Sequence, residues 1–132
     1  MKKFVLVLFL ALFASSMVNA QDAGTEKKAE VKFEVAKHDF GDITQGDQVQ
    51  YVFKFKNTGT APLVLTNVAT TCGCTAPEWP REPIMAGESG EITVKFNSAG
   101  KMGMQNKVIT IYSNAVNNPE RVTIITNVLP KQ

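Results

Sequence analysis

DQVQYVFKFKN, residues 47–57, sets Val49, Tyr51, Phe53 and Phe55 at alternate positions against Gln50, Val52, Lys54 and Lys56. Successive side chains of an extended chain point to opposite sides, so a period of two predicts a β-strand with one buried face. The stretch GEITVKFN, residues 90–97, repeats the pattern with Ile92, Val94 and Phe96 against Glu91, Thr93 and Lys95. Around these lie weaker β-branched runs: VKFEV from Val31, PLVLTNVAT from Pro62, NKVITIYS from Asn106 and ERVTIITNVL from Glu120. Several of them are apolar at successive positions, which leaves their buried face undetermined. The runs are separated by TQGD, NTGT, MAGESG, NSAGKMG and NAVNNP, clusters rich in residues that turn the backbone. No segment carries a sustained helical period. The reading is an all-β fold, an immunoglobulin-like β-sandwich of about seven antiparallel strands.

The first twenty residues stand apart from that pattern. MKK is a charged start, FVLVLFLALFA is an apolar run of eleven residues, and VNA ending at Ala20 has the small-x-small form of a cleavage site. The apolar run is shorter than the about 20 residues needed to span a bilayer. The expected organisation is a signal peptide at 1–20, a flexible tether at 21–30 (QDAGTEKKAE) and one sandwich domain at 31–132. The expected location is outside the cytoplasm: periplasm, cell envelope or extracellular space, with no integral membrane segment after cleavage.

Cleavage also changes the charge. It removes Lys2 and Lys3, leaving twelve Lys plus Arg against twelve Asp plus Glu, so the mature chain is formally neutral. Acidic and basic residues are interleaved and no aromatic run accompanies them, which argues against nucleic acid as a partner. A mature chain of about 110 residues is one ordinary domain and can bury a core without several crosslinks. Its cysteines, Cys72 and Cys74, are separated by one glycine and cannot pin one sheet to the other. Apolar packing must hold the sandwich, with Phe33, Phe40, Phe53, Phe55 and Phe96 as the large core candidates. Burial of each is worth about 1.5–3 kcal/mol.

HDFGDITQGDQVQYVFKFKNTGTAPLVL, then TTCGCTAPEWP and PIMAGESGEITVKFN, together resemble the bacterial family called domain of unknown function 1573. The similar stretch runs from about His38 to Val128. The combination His-Asp-Phe-Gly, Asn-Thr-Gly, Cys-Gly-Cys-Thr and Pro-Ile-x-x-Gly carries the resemblance, while Met85 stands where a proline is expected. The resemblance implies an immunoglobulin-like sandwich similar to Hydin-type and major-sperm-protein domains, which are mostly non-catalytic binding modules. It implies no reaction.

The Cys-Gly-Cys stretch (Cys72, Gly73, Cys74) admits several readings. In a fully extended strand the two Cα atoms would sit nearly 7 Å apart, beyond a relaxed disulfide, and Gly73 can let the chain fold back. A disulfide clamp is one reading, since exported thiols tend to oxidise. Copper or another soft metal is a second, held by Cys72 and Cys74 with the sulfurs of Met102 and Met104. Thiol–disulfide exchange is a third, although neither the usual spacing nor a helix N-terminus is present. Pairing with another chain's cysteine is a fourth. Zinc is disfavoured: a structural site takes four ligands, and the chain offers two Cys and one His.

Beyond the cysteines, Pro77, Pro80 and Pro83 recur at every third position, the period of an extended polyproline run. Thr75, Pro77, Trp79 and Pro80 form the candidate contact surface, with Trp79 either capping the core or presented to a partner. His38, Asp39, Phe40 and Gly41 are read as a structural turn, with the imidazole bonding to it and Gly41 admitting a bend. Adjacent His and Asp on a strand face opposite sides and cannot act as a catalytic pair. No nucleophile motif and no marked carboxylate pair occurs. The functional expectation is an exported, non-enzymatic module that binds an unknown protein partner in the cell envelope, without a cofactor. Copper binding or redox exchange at the Cys-Gly-Cys stretch is the alternative.

Overall fold

The computed structural model describes residues 26–132. The signal peptide and residues 21–25 of the tether lie outside the described residues. Among the described residues there is no helix long and apolar enough to cross a membrane. Eight strands follow one another: β1 (Val31–Phe33), β2 (Lys37–Thr44), β3 (Gln48–Asn57), β4 (Leu65–Thr70), β5 (Thr75–Glu78), β6 (Ser89–Asn97), β7 (Gly103–Ser113) and β8 (Glu120–Leu129). They form two four-stranded sheets, β1-β3-β6-β5 and β2-β8-β7-β4. The fold is the all-β sandwich expected, with one more strand than about seven. One ladder departs from the antiparallel expectation, because β2 runs parallel to β8.

The alternating runs build the core. On β3 and β6, Phe53, Phe55, Ile92, Val94 and Phe96 are buried while Lys54, Glu91 and Lys95 stay exposed. The opposite sheet supplies Ile109, Ile111, Val122, Ile124 and Val128. Of the five phenylalanines, Phe33 and Phe40 are only partly buried, because both sit on strands at the sheet edges. Phe55 lies across from Gly90, and a Cβ there would fall 2.5 Å from the ring's Cζ.

Two boundaries are corrected. The segment 28–30 belongs to the domain: Ala29 is buried, Lys28 O accepts from Thr60 N and Ala61 N, and Glu30 O accepts from Thr58 N. One small apolar residue among charges gives no periodic signal, so the sequence concealed this docking. Gly59 allows it, since a Cβ there would meet Lys28 O and lie 2.6 Å from Glu30 N. The second correction concerns His38, Asp39, Phe40 and Gly41, which lie in strand β2 and not in a turn. Gly41 does bend the chain, at φ 72°, in a bulge between Asp39 and Asp42. Its N–H bonds Asp39 Oδ1 at 2.7 Å. His38 does not bond a turn through its ring in this arrangement. It stacks on Tyr51 of the facing sheet, ring centroids 3.7 Å apart and planes 8° from parallel.

Asn57, in the Asn-Thr-Gly stretch, is fully buried. Its Nδ2 donates to Ala61 O (2.8 Å) and Ile84 O (2.9 Å), and its Oδ1 accepts from Gly59 N (3.0 Å) and Glu30 N (3.3 Å). One side chain thus ties β3, the turn after it, the segment before β1 and the loop before β6.

Candidate functional site

The chain crosses from β4 in one sheet to β5 in the other through Thr71, Cys72, Gly73 and Cys74. The chain turns back here without Gly73 taking the positive φ that its freedom would allow, and Cys72 and Cys74 form a disulfide with Cα atoms 5.4 Å apart. The turn is pinned from several sides. Thr75 N donates to Cys72 O (3.3 Å), Cys74 N donates to Cys72 Sγ (3.2 Å), and the Thr70 hydroxyl donates to Cys72 O (3.1 Å). Cys74 packs against the core from a partly exposed position. Beside it lies an open groove of about 600 Å³ lined by Gln48, Gln50, Gly73, Cys74, Lys95 and Asn97 among others. Lys95 pairs with Glu78 at 2.9 Å across the groove's rim.

The residues proposed as a contact surface do not share one exposed face. Thr75 is buried, because it occupies the inward phase of β5. Pro77 is partly exposed on that edge strand, and Pro80 is partly exposed just beyond it. Trp79 packs against the core on one side, and the Arg81 guanidinium covers its ring with Cζ 3.6 Å from the centroid. The aromatic face is therefore already occupied by a cation. Met102 and Met104 are exposed on either side of Gly103, where β7 begins opposite Val128. Neither lines the groove beside the cysteines. Bridged sulfurs are not thiolate ligands, so the copper alternative has no ready donor set in this form. Among the described residues, no group of three or more His, Cys, Asp or Glu gathers as a metal site.

The hydrogen bonds separate the edges of the two sheets. In an antiparallel ladder the backbone groups of successive residues point alternately to the neighbour and away. Asn97 N bonds Cys74 O (2.9 Å), which fixes the phase of β5: Ala76 and Glu78 bond β6, and the backbone groups of Thr75 and Pro77 point away from it. Thr75 N is held by Cys72 O, Thr75 O accepts from the Thr70 hydroxyl (3.3 Å), and Pro77 has no N–H. The β5 edge is closed. On β1 the outward groups belong to Val31 and Phe33, and the Asn117 side chain bonds both N and O of Val31 (3.2 and 2.7 Å). The β2 edge is bulged and carries Lys37, Asp39 and Asp42.

β4 differs from these. Thr123 N bonds Ala36 O (2.8 Å), which turns Val122 and Ile124 toward β7 and in turn directs Thr110 and Tyr112 of β7 to Ala69 and Asn67. Asn114 N on Val64 O (3.1 Å) keeps the same phase. Val68 and Thr70 therefore point their N–H and C=O groups away from β7, and among the described residues no strand covers them. The strand LTNVAT carries no charge and no proline.

The family model for a protein of unknown function, DUF1573, matches residues 31–128. No curated protein matches the sequence. Among solved structures, a protein of unknown function from Porphyromonas gingivalis W83 superposes with a TM-score of 0.67 at 18% identity, covering 76% of this chain and 47% of that one. The ASH/PapD-like domain 7 of human CEP192 gives 0.65 at 8% identity, covering 80% of this chain and 89% of that domain. The secreted serine protease VesC of Vibrio cholerae gives 0.59 at 16% identity, with 76% of this chain and 23% of the protease covered. The chain spans about half of the first protein and under a quarter of the protease. At these identities the likeness concerns the fold.

Proposed function

The chain belongs to the DUF1573 family, and from that premise we propose that it is an exported, non-catalytic β-sandwich module that binds a protein partner by accepting an extended strand along the free edge of β4. One observation carries the reading: of the four sheet edges among the described residues, β4 alone combines unbonded outward backbone groups with an uncharged, proline-free sequence. Such an edge is a template for strand addition, in which main-chain bonds give affinity and alternate side chains give specificity. The side chains of β4 define the partner. Val68 is buried toward the core and Asn67 is exposed on the outer face, so the incoming strand carries β-branched or apolar residues on one side and small or polar ones on the other. Export is supported by the charged start, the apolar run and the VNA stretch ending at Ala20.

Titration of isotope-labelled protein with a short synthetic peptide of alternating Val and Thr tests the edge. The amides of Val68 and Thr70 are expected to exchange rapidly in the free protein and to become protected on binding, while Asn67 and Ala69 are protected throughout. A peptide N-methylated on its pairing side is expected not to bind. Protection of Val68 and Thr70 in the free protein, or binding that leaves them unprotected, overturns the reading. Fractionation with N-terminal sequencing tests export; a chain retained in the cytoplasm with residues 1–20 intact removes that element of the proposal.

A further inference from the structure

The Cys72–Cys74 bridge is poorly placed for a structural crosslink. It spans a single residue, so it constrains the unfolded chain little. A bridge that adds little to folding is, by linkage, held little by the fold. The two sheets are joined by apolar packing to which the bridge itself adds only at the margin. Both cysteines are partly exposed, and Gly73 and Cys74 line an open groove.

The surroundings distinguish the two sulfurs. Cys74 packs against the core, whereas Cys72 is not among the residues of that packing. The Cys74 N–H donates to Cys72 Sγ, and an amide aimed at a sulfur favours its thiolate once the bridge opens. Cys74 Sγ has the Thr75 hydroxyl 3.9 Å away.

We propose that this pair is a thiol–disulfide exchange site for a dithiol on a partner protein, with the mixed disulfide formed at Cys72 and Cys74 as its leaving thiol. A partner thiolate attacks Cys72 Sγ and a new S–S bond forms. The Cys72–Cys74 bond breaks with its electron pair on Cys74 Sγ, which takes up a proton. The partner's second thiol, deprotonated, then attacks the partner's first sulfur in the mixed disulfide and expels Cys72 as a thiolate, which takes up a proton. The dithiol loses two electrons and two protons and becomes a disulfide, while the pair gains them and becomes two thiols. Run backwards, the reduced pair attacks a partner disulfide through Cys72. The exchange is stoichiometric, and it takes place at the β4–β5 turn without requiring strand addition at β4. Its test is therefore separate from that of the edge.

The full chain, without denaturant, is treated with dithiothreitol, then pulse-labelled with iodoacetamide and mapped by mass. The bridge is expected to open while circular dichroism stays native, and Cys72 is expected to label about tenfold faster than Cys74. In guanidinium the two rates are expected to converge. Cys74→Ser is expected to form a glutathione adduct at Cys72 from oxidised glutathione about tenfold faster than Cys72→Ser forms one at Cys74. A bridge that opens only when the domain unfolds overturns the proposal. Equal or reversed labelling in the folded chain, or a bias that persists in guanidinium, overturns the assignment of the two roles.

Discussion

Replacing Asn57 by alanine is expected to cost more than replacing any exposed polar residue of the chain. The amide makes four hydrogen bonds from a fully buried position. Alanine leaves the Ala61 carbonyl without its donor and the N–H groups of Glu30 and Gly59 without their acceptor, while Ile84 O keeps its bond from Leu63 N (2.8 Å). A buried polar group left unsatisfied costs about 1–3 kcal/mol. The three orphaned groups are only partly buried and regain some water, so the expected loss is about 2–4 kcal/mol, a large share of the about 5–15 kcal/mol that holds such a domain. Urea unfolding followed by circular dichroism measures it as a fall in midpoint at constant slope. The shape-matched Asn57→Asp separates hydrogen bonding from packing. Its carboxylate would face two carbonyls, so the proton is retained more tightly in the folded state than in the unfolded one. The sign follows: the variant is least destabilised below about pH 4 and loses stability as pH rises above it. A loss under about 1 kcal/mol for Asn57→Ala, set against surface changes of about 0.5 kcal/mol, would refute the assignment of Asn57 as the hub.

Gly59→Ala is expected to lower stability by about 1–3 kcal/mol and to expose the 28–30 segment to proteolysis, because the added Cβ meets the backbone of Lys28 and Glu30. Gly90→Ala is expected to cost a similar amount, about 1–3 kcal/mol, since its Cβ meets the buried Phe55 ring, and combining it with Phe55→Leu should recover some of the loss. The double variant Cys72→Ser with Cys74→Ser should stay folded and lose about 1–2 kcal/mol by thermal denaturation, the scale expected for so small a ring. Arg81→Gln should change the fluorescence of Trp79, the chain's one tryptophan, while altering stability by less than about 1 kcal/mol.

The sandwich was legible wherever one face of a strand is buried and the other wet. Phe53, Phe55, Ile92, Val94 and Phe96 alternate with charged or polar neighbours, and each is buried as that pattern requires. β2 was missed as a strand because its inward residues are His38, Phe40 and Ile43, with Gly41 shifting the phase between them. Its parallel pairing with β8 leaves no local signature, since register between distant strands depends on the whole packing. At the candidate site, the nearness of Cys72 and Cys74 could be read from spacing, but their surroundings could not. That Thr70 closes the neighbouring edge, that Arg81 covers Trp79 and that Thr75 faces inward are all contacts set by the crossing between sheets. Pro77 did carry a readable clue, since a residue without an N–H belongs on an edge.

The side-by-side, same-direction run of β2 and β8 has a mechanical consequence. A pull exerted on the chain before β2 and after β8 draws the two strands along their axes in opposite senses. Once three-residue β1 has peeled away, their cross-strand bonds must slide together and cannot break singly in succession. The domain is thereby built to withstand tension along its length better than tension across its sheets.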